Sequence, residues 1–210
     1  PLMATLGSYY GACMDEAAIE AAGAAPLAEL DQVIAKVKDG KTLADATAAL
    51  HAVGAPALFT FGNVQDAKDA RQVIGGLDQG GLGLPDRDYY LKDGLAEKGL
   101  RKAYHRYLAS LLVLDGKSEA DAAKAADQVI ALETAIAKVS LDKVVRRDPV
   151  ATYNRLERAG VQKAAPHFAW DRYFAGAGVP DVAAITVASP AFLKGLDKLE
   201  INADLMKADL

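Results

Sequence analysis

The sequence predicts a mainly α-helical domain of several helices that also contains one small β-hairpin. Apolar residues recur every three or four positions along most of the chain, which is the helical period. Only one short region, near Phe59, combines aromatic and β-branched residues as strands do. The chain has 210 residues, of which 51% are hydrophobic, enough for one substantial core. We therefore predict a single helical domain spanning residues 1–210.

Three short, alanine-rich helices are predicted in the first quarter of the chain. The first ends at Gly23, the second runs from Pro26 to Gly40, and the third begins at a capping box of Thr42 with Asp45. The apolar positions that mark their buried faces are Leu6, Tyr10, Cys13 and Ala17 in the first, Leu27, Leu30, Ile34 and Val37 in the second, and Leu43, Ala46, Leu50 and Val53 in the third.

The hairpin and a pair of long helices are predicted next. Residues 58–61 and 72–74 form the two arms of the hairpin. The first long helix ends near Gly116, and the second begins at Ser118, which with Asp121 resembles a cap. Their apolar stripes are Leu100, Tyr104, Tyr107, Leu108, Leu111 and Leu112 in the first, and Ala122, Ala125, Val129, Leu132, Ile136 and Val139 in the second. This helical pair is the expected core of the domain.

Two further helices are predicted from proline at the first helical position. One begins at Asp148 and Pro149, and the last begins at Ser189 and Pro190. An aromatic group lies between them, and its members are Phe168, Trp170, Tyr173 and Phe174. We interpret this group as core, and a ligand cage is the alternative.

The stretch at residues 77–91, LDQGGLGLPDRDYYL, is poorly explained by ordinary helix or loop statistics. Its glycines permit positive φ or close backbone approach, while its leucines bury apolar area. A phosphate cradle is the chemical alternative, but the Gly-Lys-Ser/Thr ending and the G-x-G-x-x-G pattern are both missing. We interpret this stretch as a buried connector.

Two clusters of charged residues lie directly before tyrosine or proline residues in the sequence. Asp86, Arg87 and Asp88 precede two tyrosines, and a second cluster at residues 146–148 precedes a proline. Bidentate arginine–carboxylate pairs within such clusters would fix the geometry of a connector. Substrate binding is the alternative role for these charges.

Composition, hydropathy and motif spacing exclude or disfavour several function classes. A net charge of −4 with interspersed acids and bases argues against a nucleic-acid partner. No apolar run approaches the length of about 18 to 20 residues that spans a bilayer, and the start at Pro1 reads as that of a fragment. The histidines His51, His105 and His167 lack the spacing of a zinc motif, and no serine lies in a nucleophile elbow. We assign no catalytic, cofactor-binding or metal-binding residue to this chain.

Several motifs, in a consistent order, resemble the N-terminal, helical lobe of the neprilysin and endothelin-converting enzyme family of zinc metallopeptidases, which includes the bacterial oligopeptidase O type. The resemblance covers about residues 9–199 and includes YGACMDEAAIEAAG at residues 10–23 and Leu132-Glu133. The residues of its structural signature are Gln79, Gly80, Gly81, Leu82, Gly83, Leu84, Pro85, Asp86, Arg87, Asp88, Tyr89, Tyr90, Arg146, Arg147, Asp148, Pro149, Tyr153 and Asn154.

The resemblance implies a parent enzyme with two lobes that cleaves peptides at a zinc site in its other, catalytic lobe. This chain would then be a lobe without catalytic residues, which limits substrate size and covers the active-site chamber. Its partners would be the catalytic lobe of the same polypeptide and peptide substrates, in the periplasm or outside the cell. A stand-alone helical interaction domain is the alternative function.

Two further expectations concern the state of Cys13 and the association of the isolated chain. From the sequence alone, Cys13 reads as a small buried residue of a helix. The resemblance implies instead a disulfide with a cysteine of the catalytic lobe. A lobe separated from its partner exposes apolar surface, so we also expect the isolated chain to self-associate.

Overall fold

The computed structural model describes residues 2–200, so Pro1 and residues 201–210 of the predicted domain lie outside the described residues. The architecture is mainly helical, as predicted, with a small sheet. The helices are α1 (Leu2–Cys13), α2 (Glu16–Ala22), α3 (Ala28–Ala35), α4 (Gly40–Ala52), α5 (Asp88–Leu91), α6 (Leu95–Leu114), α7 (Glu119–Val139), α8 (Arg158–Ala164), α9 (Trp170–Gly176) and α10 (Pro190–Glu200). The strands are β1 (Phe59–Asp66), β2 (Asp69–Gln79), β3 (Arg155–Glu157) and β4 (Ala184–Val187).

The predicted hairpin is present and is longer than its sequence pattern indicated. β1 and β2 pair antiparallel, with Phe59 opposite Gln79 and Phe61 opposite Leu77. The hairpin is one half of a four-stranded sheet in the order β1-β2-β4-β3. β4 joins β2 in parallel, and β3 joins β4 antiparallel. The sequence analysis missed β3 and β4, whose three and four residues are too few to show a strand period.

The aromatic group predicted to be core is buried against one face of this sheet. Phe168, Trp170, Tyr173 and Phe174 are each at most 2% exposed. The ring of Phe59, from β1, lies among them, with its centroid 5.0 Å from that of Tyr173 in an edge-to-face arrangement. Edge-to-face contacts of this kind stabilise a core beyond the area they bury. The interpretation as core is thus confirmed.

The pair of long helices is present, but the pair is not the core of the domain as predicted. α6 contains no buried residue, whereas α7 contributes Leu132 and Ile136 to the core. α6 ends at Leu114, and Gly116 follows with a φ of +95°. The Ser118 side chain accepts a hydrogen bond from the backbone N–H of Asp121, which caps α7 as predicted. Ser189 caps α10 in the same way, because its hydroxyl accepts from the Phe192 N–H at 3.0 Å.

The N-terminal region departs from the prediction in two ways. The single first helix is divided into α1 and α2, because the Asp15 side chain accepts from the Ala18 N–H and starts a new helix. None of the helices α1, α2 and α3 contains a buried residue, although the pattern predicted buried faces there. Cys13 is exposed, so its interpretation as a buried residue was wrong.

The predicted second and third helices meet at a different place. α3 ends at Ala35, and Gly40 begins α4 instead of ending α3. The capping box consists of Asp39 and Thr42, not of Thr42 and Asp45. A Cβ atom on Gly40 would lie 2.1 Å from the backbone oxygen of His167, so a distant segment fixes this start.

The helix predicted at Pro149 is absent. A short 3₁₀ helix at Val145–Arg147 precedes this proline, and residues 149–152 form turns. The Asp148 carboxylate accepts from the backbone N–H groups of Val150 and Ala151, at 2.8 and 3.2 Å. The side chain therefore caps a turn that the chain does not continue as a helix.

Candidate functional site

The glycine-rich stretch is fastened to α7 by one buried carboxylate, that of Glu133. Its Oε1 accepts hydrogen bonds from the Gly83 N–H and the Tyr104 hydroxyl, both at 2.9 Å. Its Oε2 accepts from the Tyr90 hydroxyl at 2.8 Å, and that hydroxyl in turn accepts from the Leu84 N–H at 2.7 Å. We call these five residues the Glu133 cluster. It joins the stretch to both long helices.

The Glu133 carboxyl group is buried, which disfavours its charged form, and neighbouring hydrogen-bond donors oppose that effect. The residue is 8% exposed. Burial raises the pKa of Glu133, and the hydrogen bonds from Tyr90, Tyr104 and Gly83 oppose that rise. Burial is also the main cause of a raised pKa for the Tyr90 hydroxyl, followed by the nearby Glu133 charge. The Tyr90 hydroxyl therefore keeps its proton and donates to the carboxylate.

The glycines in this stretch are required by close contacts and by backbone conformation. A Cβ on Gly83 would lie 1.9 Å from the Tyr104 hydroxyl oxygen, and one on Gly80 would lie 2.9 Å from backbone atoms of Phe59. Gly81 has a φ of +73°, which side chains disfavour. The stretch connects β2 to the long helices, as interpreted, but it is mostly half-buried and not buried. Leu77 and Tyr90 are buried, whereas Gly83 and Pro85 are exposed.

The other signature side chains of this stretch hold the segment that follows α7. The Gln79 carboxamide accepts from the Leu141 N–H at 2.7 Å and donates to the Leu141 carbonyl at 3.2 Å. Arg87 donates to the Ser140 carbonyl. These contacts fix the chain at the point where it leaves the helix.

The expected bidentate pairs within the two charged clusters are not formed. Arg146 instead pairs with Asp78 of β2 through one hydrogen bond of 2.7 Å. Lys143 lies 3.7 Å from the Asp86 carboxylate and 3.8 Å from that of Asp88. The charges therefore link separate segments, which sequence neighbours could not indicate.

A second buried carboxylate, that of Asp66 at the end of β1, organises the other signature stretch. It accepts from the Tyr153 hydroxyl, from Arg155 Nη1 and from the Lys68 N–H, each at 2.9 Å. The Lys68 bond is the largest cause of the lowered pKa of Asp66, which the Tyr153 and Arg155 contacts lower further. The tip of the hairpin is thus tied to the segment that precedes β3.

Asn154, the last residue of the signature, completes this connection. Its Nδ2 donates to the Val187 carbonyl at 3.0 Å, and its own carbonyl accepts from the Val187 N–H at 2.9 Å. The residue therefore holds the start of β3 against the end of β4. This contact is structural in the same sense as those of the Glu133 cluster.

Sequence reasoning included Glu133 in the resemblance without assigning it a role, and it missed Asp66. The role of Glu133 could have been found, because the residue lies at helical spacing between the apolar residues Val129 and Ile136. A charged residue on an apolar helix face needs partners when it is buried. Asp66 gives no comparable signal, since its partners Tyr153 and Arg155 are distant in sequence.

The three histidines take separate positions. His51 contacts the Tyr173 hydroxyl at 2.7 Å, His105 lies 3.1 Å from Asp127, and His167 lies 2.9 Å from Asp197. Within residues 2–200, no group of three or more His, Cys, Asp or Glu residues is placed to hold a metal ion. The side chains present therefore do not fit the four-ligand or three-ligand sets of protein zinc sites.

Two clefts lie on opposite faces of the sheet. The helix cleft, on the side of α4 and α9, has a volume of about 880 Å³, and Ala48, Phe61 and Val182 are among its lining residues. The basic cleft, on the other face, has a volume of about 710 Å³ and lies beneath Lys143 and Arg147. Both clefts reach β1.

Apolar side chains are exposed on two helical surfaces. On α1 and the segment after it, the exposed residues are Leu2, Met3, Leu6, Tyr9, Tyr10 and Met14. On α6 they are Leu95, Leu100, Tyr107, Leu111, Val113 and Leu114. Within residues 2–200, no helix combines the length and the hydropathy that crossing a bilayer requires.

Comparison with known proteins gives matches along almost the whole chain. The N-terminal model of peptidase family M13 matches residues 3–207. Endothelin-converting enzyme 1 of Cavia porcellus is 35% identical over 172 residues, which are 77% of this chain and 22% of that enzyme. The Mus musculus protein of the same name is 32% identical over 210 residues, 93% of this chain and 27% of that enzyme.

Solved structures give the same result. The crystal structure of the Mycobacterium tuberculosis zinc metalloprotease Zmp1 in complex with an inhibitor superposes with a TM-score of 0.86 at 30% identity, over 92% of this chain and 30% of that one. PepO from Lactobacillus rhamnosis has a TM-score of 0.69 at 18% identity, and this likeness shows the fold alone. This chain thus spans under a third of these relatives, and the comparisons confirm the resemblance seen in the sequence.

Proposed function

Because the chain belongs to peptidase family M13, we propose that it forms the non-catalytic helical lobe of a longer zinc metalloendopeptidase that hydrolyses peptides. In that enzyme, the lobe covers the active-site chamber and limits the size of the substrates that enter. The catalytic lobe of the same polypeptide is its partner and supplies the residues that bind zinc. By resemblance, the enzyme works in the periplasm or outside the cell.

The observation that carries this proposal is what the signature residues contact. Glu133 and Asp66 are each surrounded by donors from separate segments, including Gly83, Tyr90 and Tyr153. Such contacts fix the relative positions of the segments they join, and they leave these side chains unavailable for acid–base or nucleophilic chemistry. The zinc that the resemblance implies activates water for peptide hydrolysis when it is bound. The side chains of residues 2–200 do not fit it, so we assign it to the remainder of the parent polypeptide.

Discrimination by substrate size tests the proposed role. We expect the full-length protein to cleave a short peptide. When the same sequence is tethered tightly between two folded domains, kcat/KM is expected to be lower by about 100-fold, a loss typical of misplaced substrates. The control is the fusion with one domain unfolded by destabilising substitutions. Equal kcat/KM for the short peptide and the folded fusion would contradict a size limit set by this lobe.

Self-association of the isolated chain is a second expectation, and it arises from the exposed apolar residues of α1 and α6. Leu2, Met3 and Tyr9 on α1 are 70%, 80% and 73% exposed. Apolar patches of this kind usually mark contact surfaces. Light scattering of the 210-residue chain at increasing concentration is expected to show a mass above that of the monomer, and a monomer at every concentration would contradict the expectation.

The same exposed surfaces favour a second candidate function, that of a stand-alone helical interaction domain. The reading frame that encodes this chain discriminates between the two. The peptidase proposal requires several hundred further residues that contain H-E-x-x-H and a later glutamate. A reading frame that stops near Leu210 would favour the interaction domain.

A further inference from the structure

The outer edge of β1 has no partner within the described residues. The sheet order places β1 at one end, and its ladder is with β2 alone. Outside that ladder, the backbone of residues 60–65 makes no hydrogen bond within residues 2–200. Edge strands are usually protected by lysine, proline or a bulge that turns the edge away. Residues 59–65 of β1, FTFGNVQ, contain neither lysine nor proline, and the β1–β2 ladder shifts register only at the end of the strand, between Gln65 and Asp66.

The two clefts lie on either side of this edge. Phe61 lines the helix cleft, and its ring lies 5.7 Å from that of Tyr173 and 5.5 Å from that of Phe174. Thr60 and Val64 line the basic cleft on the opposite face, and Phe61 and Gly62 line both clefts. Successive side chains of a strand point to opposite faces of its sheet. A strand added beside β1 would therefore place alternate side chains in the two clefts.

The clefts differ in chemistry. The helix cleft is lined mainly by small and apolar residues, such as Ala48, Ala52 and Val182. The basic cleft is lined by three cations and one carboxylate, and these residues are Lys143, Arg146, Arg147 and Asp78.

The basic cleft has unused capacity to bind an acid. Asp78 is paired with Arg146, and Lys143 lies within 4 Å of Asp86 and Asp88. By contrast, no carboxylate lies within 4 Å of the Arg147 guanidinium in the described part of the chain. The Thr186 hydroxyl, which is buried in the cleft, is also without a hydrogen-bond partner among those residues. One cleft therefore suits apolar side chains, and the other suits carboxylates.

We propose that β1 is a docking edge for an extended peptide substrate whose side chains alternate between apolar and acidic. This inference rests on the proposed function, since it takes the parent enzyme to act on peptides. Backbone hydrogen bonds to β1 would supply affinity that is independent of sequence, and the two clefts would select the alternating side chains. The eight residues of β1 match a peptide of about 27 Å, at about 3.4 Å per residue.

A second copy of this chain fits the edge less well. Its own β1 would present Thr60, Gly62 and Val64 beside the cations. The one acid of β1, Asp66, is buried and already bonded to Tyr153 and Arg155. A peptide with acidic residues at alternate positions complements the charge of the basic cleft. The docking edge is thus assigned to substrate.

Binding of synthetic octapeptides to the 210-residue chain tests the inference without relying on peptidase activity. The probe is a capped peptide of alternating leucine and glutamate, and the control alternates leucine and lysine. We expect the glutamate peptide to bind at least about tenfold more tightly by isothermal titration calorimetry, because its charges are opposite to those of the cleft. Equal affinities would overturn the proposal.

Two N-methylated versions of the probe test for strand addition itself. One carries the methyl groups on every leucine nitrogen, and the other on every glutamate nitrogen. A peptide strand donates to its neighbour from alternate residues only, so one version is expected to lose about tenfold or more in affinity and the other to retain it. Equal affinity of the two versions would exclude pairing with β1.

Charge reversal at Arg147 locates the binding site. Arg147→Glu is expected to weaken the glutamate probe by about five- to tenfold. The matched control, Lys124→Glu on the exposed side of α7, is expected to leave binding unchanged. Equal effects of the two variants would overturn the assignment to the basic cleft.

Experiments on the full-length protein distinguish two occupants of the β1 edge, which are a peptide substrate and the parent's own polypeptide. Arg147→Glu is expected to raise KM for acidic–apolar peptides without changing kcat. Binding of the probe to the isolated chain but not to the full-length protein would overturn the proposal, because the parent would then cover this edge itself. Full-length protein that binds the probe at β1 but lacks peptidase activity would refute the proposed function while leaving the docking edge in place.

Discussion

Replacing Glu133 by alanine is expected to lower the free energy of unfolding by about 3 kcal/mol, since it leaves buried donors without an acceptor. The donors are the Gly83 N–H and the hydroxyls of Tyr90 and Tyr104, which now bond the carboxylate at 2.8 to 2.9 Å. Urea unfolding of the 210-residue chain, followed by circular dichroism at neutral pH, measures the loss. A change below about 0.5 kcal/mol, the range of ordinary surface substitutions, would contradict the role of this cluster.

The pH dependence of stability is measured for the wild type and for Glu133→Gln. The glutamine variant is the control, because glutamine keeps the size of the side chain but does not titrate. Burial raises the pKa of Glu133 in the folded state above the usual value of 4.5, so the folded protein binds this proton more tightly than the unfolded chain does. The contribution of this proton to stability is therefore complete below the unfolded pKa and is lost as pH rises through the folded pKa. We expect the stability of the wild type, relative to the glutamine variant, to fall over that interval. A relative stability that rises with pH there would contradict the direction of the shift.

Gly83→Ala is the substitution with the second large expected effect. The new Cβ would lie 1.9 Å from the Tyr104 hydroxyl oxygen and 3.0 Å from Glu133 Oε1. Tyr104 must then move away from Glu133, so we expect a loss of about 2 to 3 kcal/mol from strain and a broken hydrogen bond. Urea unfolding measures it, and Tyr104→Phe, which removes the nearest atom, is expected to reduce the cost of the alanine.

Gly99→Ala is the matched control for that substitution. Gly99 lies within α6, and a Cβ there would meet nothing within 4 Å. Because alanine favours helix over glycine by about 1 kcal/mol, this variant is expected to be more stable than the wild type. Equal effects of Gly83→Ala and Gly99→Ala would show that contact with Tyr104 does not decide the outcome.

Local patterns predicted the elements that local interactions stabilise. The helix α7 and its Ser118 cap depend on residues within one or two turns, and both are present as predicted. Of the predicted stripe, Ala122, Leu132 and Ile136 are buried. The aromatic residues from Phe168 to Phe174 were recognised as core because large aromatic side chains are usually buried in soluble proteins.

Where distant segments decide the structure, the sequence alone was insufficient. The start of α4 at Gly40 depends on the His167 carbonyl, and the short strand β4 depends on pairing with β2. Asp148 resembled a helix cap but caps only a turn before β3. The family signature, with Glu133 beside it, could be recognised as a pattern, but the bonding role of Glu133 and the contribution of Asp66 became evident only from the fold.

Turnover of a fluorogenic peptide by the 210-residue chain in zinc-containing buffer tests most directly whether this lobe lacks chemistry of its own. The chain alone is expected to show no turnover that a metal chelator abolishes, whereas the full-length protein, assayed beside it, is expected to cleave the peptide. Chelator-sensitive turnover by the isolated chain would contradict the assignment of this lobe as a non-catalytic wall.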